Sequence, residues 1–283
     1  MTAKLTLLIS CKNESQNIRA AIESALGLAD EILVADNGST DTTLDIVAEY
    51  PICRTIYREY IDYGNFQNWA IPQASHPWVF ILDADERITE ELAVEIRTIL
   101  QKDGQNKVVN DGYWVYRKNH FMGHPVRFGG WQSDKVMRLF RRDQGRYQGT
   151  TDHAQASIAT GNIGFLKKRL IHHTYRSYND YFHKFQRYTS YQAKRWHEGG
   201  KKASFAKLFF AAPLRFIHSY LFRLGFLDGK VGLQISMTTA FYSFMKQARL
   251  WELESTPKQA EAENIREKTE DTLPAGDLPN KAA

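Results

Sequence analysis

Two aspartates separated by one residue follow an apolar run and are the side chains in this sequence best suited to chemistry. Asp83 and Asp85 come directly after Trp78–Leu82, with Glu86 next to them. Residues i and i+2 of an extended chain project to the same side, so we expect the two carboxylates to converge and repel unless a cation relieves them. Mg²⁺ or Mn²⁺ fits, because such ions commonly join one or two carboxylates to substrate phosphates. The alternative is a solvated acidic turn that caps the next helix.

Two further polar stretches also follow apolar runs. Glu14 comes after the first run of the chain, and Asp36 and Asn37 come after the second. At a strand-to-helix turn these side chains can bind a ribose or a base edge, while the helix N-terminus offers N–H groups to an anion. The alternative is capping, for which Ser39 and Asp41 are well placed.

The elements that must position these residues alternate between strand and helix. Four apolar runs predict strands, at Leu5–Ser10, Glu31–Ala35, Ile52–Tyr57 and Trp78–Leu82. Apolar residues at helical spacing lie between them. This order predicts an α/β fold with a mostly parallel, Rossmann-like sheet flanked by helices. In such sheets ligands bind beyond the carboxyl ends of the strands, where all three polar stretches are expected.

The middle of the chain predicts a second strand region with further candidates. Gly112–Arg117 and Lys135–Arg141 alternate like strands, and the glycine-rich stretch between them predicts a hairpin or flap. Trp131 in this flap is a candidate to stack on a sugar ring, although core packing is an alternative. His172 and His173 follow an apolar pair; the inward one is a candidate metal or diphosphate ligand, or else a hydrogen-bonded core histidine.

The positive charge is concentrated in the later part of the chain. The sequence has 37 Lys and Arg against 32 Asp and Glu, a net charge of +5. From residue 177 the pattern is helical, aromatic and basic, which predicts a catalytic domain at 1–176 and a basic amphipathic helical region at 177–254. Such helices favour an anionic membrane surface. The alternative is a plain helical cap on the sheet, and without a nucleic-acid-binding motif we expect no nucleic acid partner.

Composition also sets expectations for the compartment. Two cysteines, Cys11 and Cys53, are too few for a disulfide framework and predict small core residues in a reducing compartment. The apolar run at Leu5–Ile9 is too short for a signal peptide. The chain has no stretch of about 20 apolar residues, so we expect no transmembrane helix. Residues 255–283 are rich in Pro, Glu, Lys and Ala and are predicted to be disordered. We therefore expect a cytoplasmic protein.

Three motifs in order, "ISCKNESQNI", "ILVADNGSTDTT" and "VFILDADERI", resemble the nucleotide-binding half of family 2 glycosyltransferases. The later stretches "VMRLFRRDQGRYQG", "LIHHTYRSYNDYFHKFQRY" and "FLDGKVGLQISM" resemble the smaller group that adds sugars to the lipopolysaccharide core. Together they span most of residues 4–250. The resemblance implies a GT-A fold and an inverting, metal-dependent transfer of a hexose such as glucose from a nucleotide-sugar donor such as UDP-glucose. It implies a lipopolysaccharide core or other lipid-linked saccharide acceptor at the cytoplasmic face of the inner membrane.

The resemblance also implies roles for individual residues. Asp83 would lie near the ribose and the metal, and Asp85 would be the metal ligand that bridges both donor phosphates. Glu14 and Asp36 would help to hold the nucleoside. Many relatives have a second acid where this chain has Asn37, whose amide can still pair with a uracil edge.

The general base is expected in the stretch 150–154. Relatives of the subgroup often show a His-Glu pair there, and this chain has Asp152, with His153 as the alternative. An inverting reaction needs one base to take the proton of the attacking hydroxyl. A turn acid before a strand is the simpler interpretation of Asp152.

Two other functions share parts of this pattern. A nucleotidyltransferase also needs acids and a metal, but such enzymes usually open with a glycine-rich loop, and Cys11–Glu14 contains no glycine. A non-catalytic nucleotide-binding relative would not need Asp83 and Asp85, which this chain keeps.

Overall fold

The computed structural model describes residues 2–149 and 155–270, with side chains described to residue 255. The chain divides into two compact units, Met1–Arg176 and Ser177–Ala283, called unit 1 and unit 2 below. Each unit is described by itself.

Unit 1 consists of strands and short helices in alternation. Its strands are β1 Leu5–Cys11, β2 Glu31–Asp36, β3 Cys53–Tyr57, β4 Trp78–Asp83, β5 Glu86–Arg87, β6 Gly112–Phe121, β7 His124–Pro125, β8 Lys135–Arg141, β9 Gly145–Gln148, β10 Gln155–Ile158, β11 Ile163–Phe165 and β12 Leu170–Tyr175. Its helices are α1 Ile18–Glu23, α2 Thr43–Ala48, α3 Tyr63–Ala70 and α4 Glu90–Gly104.

The main sheet of unit 1 has the strand order β3-β2-β1-β4-β8-β6-β12-β5 within the described residues. Strands β1 to β4 run parallel, β8 runs antiparallel between β4 and β6, and β6 pairs with β12 in parallel. The predicted α/β class with a mostly parallel sheet is confirmed. Ser10 lies opposite Asp83, and Cys11 lies opposite Asp36. The polar ends of three strands therefore meet at one edge of the sheet.

Apolar side chains cover both faces of this sheet. Leu7 and Ile9 of β1 belong to one buried cluster, which includes Ile22 of α1 and Ile96 of α4. Leu8, which points to the opposite face, belongs to a second cluster that includes Phe66 of α3. Strand alternation thus gives each helix layer its own core.

Unit 2 is helical. It contains α5 Tyr178–Glu198, α6 Phe205–Ile217 and α7 Gly229–Glu270, with a π-turn at His218–Phe222 and a 3₁₀ turn at Gly225–Asp228 between the last two. Helix α5 packs on α7, where the ring of Phe185 stacks on that of Phe241 at a centroid distance of 5.2 Å. Among the residues that the structure describes, no helix combines the length and apolar content needed to cross a bilayer.

Helix α7 continues past the boundary at which the sequence predicts disorder. Its backbone is helical to Glu270. Residues 255–270 contain many Ala, Glu, Gln and Lys residues, whose helix propensity is high, and this composition favours a continued helix. For 271–283, outside the described residues, disorder stays a prediction.

A buried glutamate anchors the sheet at the edge opposite the polar strand ends. Glu31 accepts hydrogen bonds from the Thr6 hydroxyl at 2.6 Å, the Ser75 backbone N–H at 2.8 Å and Arg54 Nε at 2.9 Å. Burial raises the pKa of Glu31, but these donors outweigh it and leave the pKa below its ordinary value. The carboxylate thus connects β1, β2, β3 and the segment before β4.

We expect Glu31→Gln to lower the free energy of unfolding by about 1–3 kcal/mol, because the buried donors lose acceptors. The pKa of Glu31 is lowered, so its stabilisation is present above the ordinary value of 4.5 and is lost as the pH falls. The variant should therefore show a weaker loss of stability in acid. Urea unfolding at several pH values measures both effects. Glu49→Gln, at an exposed ion pair, is the control and should change stability by less than about 0.5 kcal/mol.

Candidate active site

The acidic motif forms a turn that ends β4. Asp83 is the last residue of β4, Ala84 and Asp85 form the turn, and β5 begins at Glu86. The carboxylate of Glu86 accepts the backbone N–H of Asp83 at 3.0 Å. This side-chain bond favours a turn over continued strand, so the extended backbone assumed for 83–85 is wrong. Asp83 and Asp85 consequently have different neighbours.

Arg138 is a buried cation directly beneath this turn. Its side chain is 4% exposed and its guanidinium pairs with Asp83 Oδ2 and, at 2.7 Å, with Glu86 Oε1. Burial lowers the pKa of Arg138, but the two carboxylates outweigh it and raise the pKa far above its ordinary value. Burial raises the pKa of the Glu86 carboxyl, and Arg138 counteracts this shift. Each buried charge therefore needs an oppositely charged partner, because an isolated charge is not stable there.

A second arginine extends this ion-pair network across β6. Arg117 lies 3.4 Å from Glu86 and binds Asp134 through two nitrogens at 2.9 Å. Burial raises the pKa of Asp134, but the guanidinium outweighs it and leaves the pKa below the ordinary value. Asp134 also accepts the amide of Asn119 at 2.9 Å. Asp134 is therefore ionised at neutral pH and positions Asn119.

Asn119 in turn sets the proton position of His172. Because the Asn119 nitrogen donates to Asp134, its oxygen faces His172 Nδ1, at 2.6 Å. An amide oxygen only accepts, so Nδ1 carries the proton in the neutral imidazole and Nε2 presents a lone pair. His172 Nε2 lies 3.7 Å from Asp85 Oδ2. The inward histidine that the sequence predicts is therefore oriented toward the acidic turn.

The donor atoms around the turn fit a hard divalent ion. Four carboxylates (Asp83, Asp85, Glu86, Asp134) and two guanidiniums (Arg117, Arg138) lie around the turn, and Arg87 is a third cation that interacts with Asp85 and Glu86. Within residues 2–149 and 155–270, no three His, Cys, Asp or Glu side chains converge closely enough to hold an ion by themselves. An ion at Asp83 and Asp85 would thus need further oxygens, as expected where a ligand's phosphates complete the site.

The β1 and β2 loops hold each other in place beside this turn. Asn13, at a positive φ of 55°, accepts the backbone N–H of Thr40 at 2.7 Å, and its own N–H donates to the Ser39 hydroxyl at 3.0 Å. Asp36 accepts the N–H groups of Gly38, at 2.9 Å, and of Ser39. The capping alternative thus describes the observed contacts of Asp36, and nucleoside binding by this residue stays a prediction.

Helix α2 begins later than the sequence predicts. Ser39 donates its hydroxyl to Asp36 at 2.5 Å and does not cap the helix, whereas Asp41 accepts the backbone N–H of Thr43 at 3.0 Å. Thr43 and Val47 are the buried residues of α2. Leu44 is 36% exposed and therefore lies outside the buried face of α2.

Glu14 and Asn37 lie at the same loops. Glu14 accepts the side-chain amide of Asn17 at 2.6 Å, and its backbone N–H donates to the Thr43 hydroxyl at 2.8 Å. Asn37 Oδ1 is buried and has no hydrogen-bond partner in the structure. Such an oxygen is costly unless a donor arrives, which a ligand N–H would supply.

Two clefts flank the Arg117–Asp134 pair. One, of about 360 Å³, is lined by Trp131 and His172 among others, so the predicted sugar-stacking residue and metal-ligand candidate share one cleft. The other, of about 270 Å³, is lined by Asp83 and Tyr147 among others. Burial raises the pKa of Tyr147 to about 12, so its hydroxyl is neutral. The predicted bases Asp152 and His153 lie outside the described residues.

Four residues of the hydrogen-bond and ion-pair network were not predicted from the sequence, namely Arg117, Asn119, Asp134 and Arg138. A signal for Arg138 was present. It lies in "KVMRLFR" between residues that a strand buries, and a lone arginine in a buried strand requires an acidic partner. Which acid it meets depends on the pairing of β4 with β8, which local spacing does not specify.

The sequence matches the family described as glycosyl transferase family 2 over residues 6–213. The lipopolysaccharide core biosynthesis glycosyltransferase LpsC of Rhizobium meliloti (strain 1021) is 31% identical over 255 residues, which cover 88% of this chain and 92% of LpsC. An uncharacterized glycosyltransferase of Rickettsia bellii (strain RML369-C) is 27% identical over 266 residues, covering 89% and 88%. These matches confirm the family resemblance that the motifs predict.

Solved structures with a similar fold include a fragment of S. aureus TarS, residues 1–349, in complex with UDP-GlcNAc. It is 16% identical, covers 91% of this chain and 92% of that chain, and has a TM-score of 0.43.

We expect Arg138→Met to lower the free energy of unfolding by about 3–5 kcal/mol, because Glu86 loses its buried counter-ion. In this variant the pKa of Glu86 rises further, so the folded state favours the protonated acid. Its stability should therefore fall as the pH rises above 4.5, the ordinary value for this group. Urea unfolding between acid and neutral pH measures this slope.

A double variant and an exposed control complete this test. Adding Glu86→Gln to Arg138→Met should recover part of the stability and remove the slope, because no buried charge remains. Arg97→Met, at an exposed pair with Glu90, should change stability by less than about 1 kcal/mol. A slope that persists in the double variant would contradict the assignment to Glu86.

Proposed function

The chain belongs to glycosyltransferase family 2, and we propose that it is an inverting, metal-dependent enzyme that transfers a hexose such as glucose. The proposed donor is a nucleotide sugar such as UDP-glucose, and the proposed acceptor is a lipopolysaccharide core or other lipid-linked saccharide. The observation that carries the donor assignment is the convergence of three polar strand ends, those of β1, β2 and β4, at one edge of the sheet.

The β1 and β2 ends suit the nucleoside. The loops are fixed by the bonds of Asn13 and Asp36, and the orphaned Asn37 oxygen suits an N–H group such as that of a uracil edge. Glu14 is the proposed partner of the ribose or base. Binding to a preformed loop requires little further ordering, which favours affinity.

The β4 end suits the diphosphate. Asp83 and Asp85 would hold Mg²⁺ or Mn²⁺, with His172 as a further candidate ligand through Nε2. When bound, the ion would stabilise the negative charge of the departing nucleoside diphosphate. Arg138 holds Asp83 in place from beneath, and Glu86 holds its backbone.

The acceptor would react on the side of the larger cleft. A hydroxyl oxygen of the acceptor attacks the anomeric carbon, the bond from that carbon to the diphosphate oxygen breaks, and the configuration inverts. A base takes the hydroxyl proton, and Asp152, with His153 as the alternative, is the proposed base. Trp131 offers an indole face to a sugar ring in this cleft.

The proposed location is the cytoplasmic face of the inner membrane, where a lipid-linked acceptor would be found. The similarity to LpsC, whose name refers to lipopolysaccharide core biosynthesis, supports this acceptor class. The basic and aromatic composition of unit 2 supports contact with an anionic surface.

A screen of UDP-, GDP-, CMP- and dTDP-sugars, each with and without Mn²⁺, tests the donor assignment. We expect a UDP-sugar to raise the melting temperature of the protein more with Mn²⁺ than without it. With an acceptor present, the enzyme should consume this donor and release UDP. Asp85→Ala should lower turnover by roughly 100-fold or more, because charge stabilisation at the leaving group is lost. Asp143→Ala, at a carboxylate that is 76% exposed, is the matched control and should leave turnover unchanged. Equal turnover by both variants would refute the role of Asp85, and pyrophosphate as product would indicate a nucleotidyltransferase.

The base assignment has a separate test. We expect Asp152→Asn to lower kcat by roughly 100-fold or more while the thermal shift with donor and Mn²⁺ stays unchanged, because the base acts on the acceptor. His153→Gln should change kcat much less. The reverse ranking would assign the base to His153, and wild-type rates in both variants would exclude both residues.

A further inference from the structure

Helix α6 of unit 2 exposes its large apolar side chains. No residue of α6 is buried, and its half-buried residues are Leu208, Ala211, Ala212 and Phe216. The opposite face consists of Phe209, Phe210, Pro213, Leu214 and Ile217. These lie within one arc of about 140° at 3.6 residues per turn. In an ordinary surface helix the polar residues would occupy this outward face.

The apolar surface continues around the turn between α6 and α7. Leu221, Phe222, Leu224, Phe226 and Leu227 are all exposed, and Phe222 is 75% exposed. Residues 221–227 form the apolar tip of unit 2. The tip and the outward face of α6 therefore form a run of exposed apolar side chains over residues 209–227.

The backbone beneath the tip is tightly packed. The Ser236 hydroxyl donates to that of Ser219 at 3.2 Å, and both residues are buried. A Cβ atom on Gly232 would lie 1.8 Å from the carbonyl oxygen of Gly225, so the turn and α7 touch through backbone. The tip side chains thus extend outward from a fixed support.

Cations outnumber carboxylates beside this apolar surface. Residues 199–227 contain Lys201, Lys202, Lys207, Arg215 and Arg223 and no Asp or Glu, while Glu198 and Asp228 flank the segment and Glu254 accepts the backbone N–H of Ala203. All five cations are exposed. Exposed apolar residues with an excess of positive charge beside them match a surface that has an apolar interior and anionic groups at its boundary.

We propose that the apolar tip and the outward face of α6 insert into the headgroup region of an anionic lipid bilayer, with Lys207 and Arg223 bound to lipid phosphates. This refines the membrane location in the proposed function and rests on that location, but not on the sugar, donor or base. Helix α6 has 13 residues and spans about 20 Å, short of the roughly 30 Å hydrocarbon core, so it lies in the interface.

A second copy of the chain fits this surface less well. In a symmetric dimer each patch faces its own copy, so the five cations of one chain would face five cations of the other. Like charges opposed in this way disfavour association. An anionic bilayer removes this repulsion.

Vesicle cosedimentation of the full chain tests the insertion. The probes are phosphatidylcholine vesicles and vesicles that also contain phosphatidylglycerol, each at low and high salt. We expect binding to the anionic vesicles that weakens with salt but is not abolished, because the apolar contribution is not screened. Leu221→Ser with Phe222→Ser should weaken the partition coefficient roughly tenfold or more. Lys207→Gln with Arg223→Gln should weaken it about fivefold per charge on anionic vesicles at low salt.

A matched control removes exposed apolar residues elsewhere. Val94 and Val108 of unit 1 are 51% and 98% exposed, and Val94→Ser with Val108→Ser should leave the partition unchanged. All three double variants change exposed side chains, so unchanged melting temperatures will show that folding is intact. Equal loss in the control and the tip variant would overturn the proposal, as would a wild-type chain that binds no anionic vesicle.

A label at the tip measures insertion directly. Phe222→Cys in a Cys53→Ser background, with Cys11 buried, accepts an environment-sensitive fluorophore. Its emission should shift to the blue on anionic vesicles, whereas the same label at Val108→Cys should not shift. Light scattering measures the oligomeric state and so tests whether a second copy of the chain covers the tip instead. A wild-type dimer that the tip variant converts to a monomer would overturn the proposal. None of these measurements requires donor or turnover, so they succeed or fail independently of the proposed reaction.

Discussion

The candidate active site depends on one buried ion pair, Arg138 with Glu86. Both charges lie in the interior of unit 1, where each needs an ionic partner, and Asp83 and Arg117 supplement the pair. The pair fixes the acidic turn from two directions, because Arg138 also binds the Asp83 carboxylate and Glu86 also accepts the Asp83 N–H. A buried arginine that was charged but unpaired would be expelled, and the turn would lose its support.

The same pair is the start of a network of contacts that extends to the cleft lined by His172. Arg138 neutralises Glu86 and, through Arg117, the network extends to Asp134 and Asn119. Asn119 then fixes the tautomer of His172, whose free lone pair faces Asp85. A chain of contacts therefore connects the core of the sheet with the atoms proposed to meet the metal, and each member orients the next.

The sequence predicts β1 to β4, β6 and β8 because each has an apolar or alternating pattern, whereas the short strands β5, β7 and β9 to β11 were not predicted. The family motifs lie at the ends of β1, β2 and β4, so Asp83, Asp85, Asp36 and Asn37 were found directly. The turn at 84–85 was predicted only as the alternative of a solvated acidic turn, because it depends on a side-chain bond from Glu86 that has no periodic signal. Arg138 was missed because its partners are more than 50 residues away and meet it only when β4 pairs with β8.

Each unit holds side chains in unfavourable surroundings, which are carboxylates close together in unit 1 and exposed apolar groups in unit 2. Each arrangement indicates a partner. Unit 1 gathers carboxylates at the end of β4, and their oxygen atoms favour a hard cation. Unit 2 leaves phenylalanine and leucine side chains exposed on the outward face of α6 and on the turn after it. Large apolar side chains that stay exposed do not contribute the stability that burial would give. Such an arrangement is stable in use only if another apolar phase covers the outward face, and the surrounding lysines and arginines specify that the boundary of this phase is anionic.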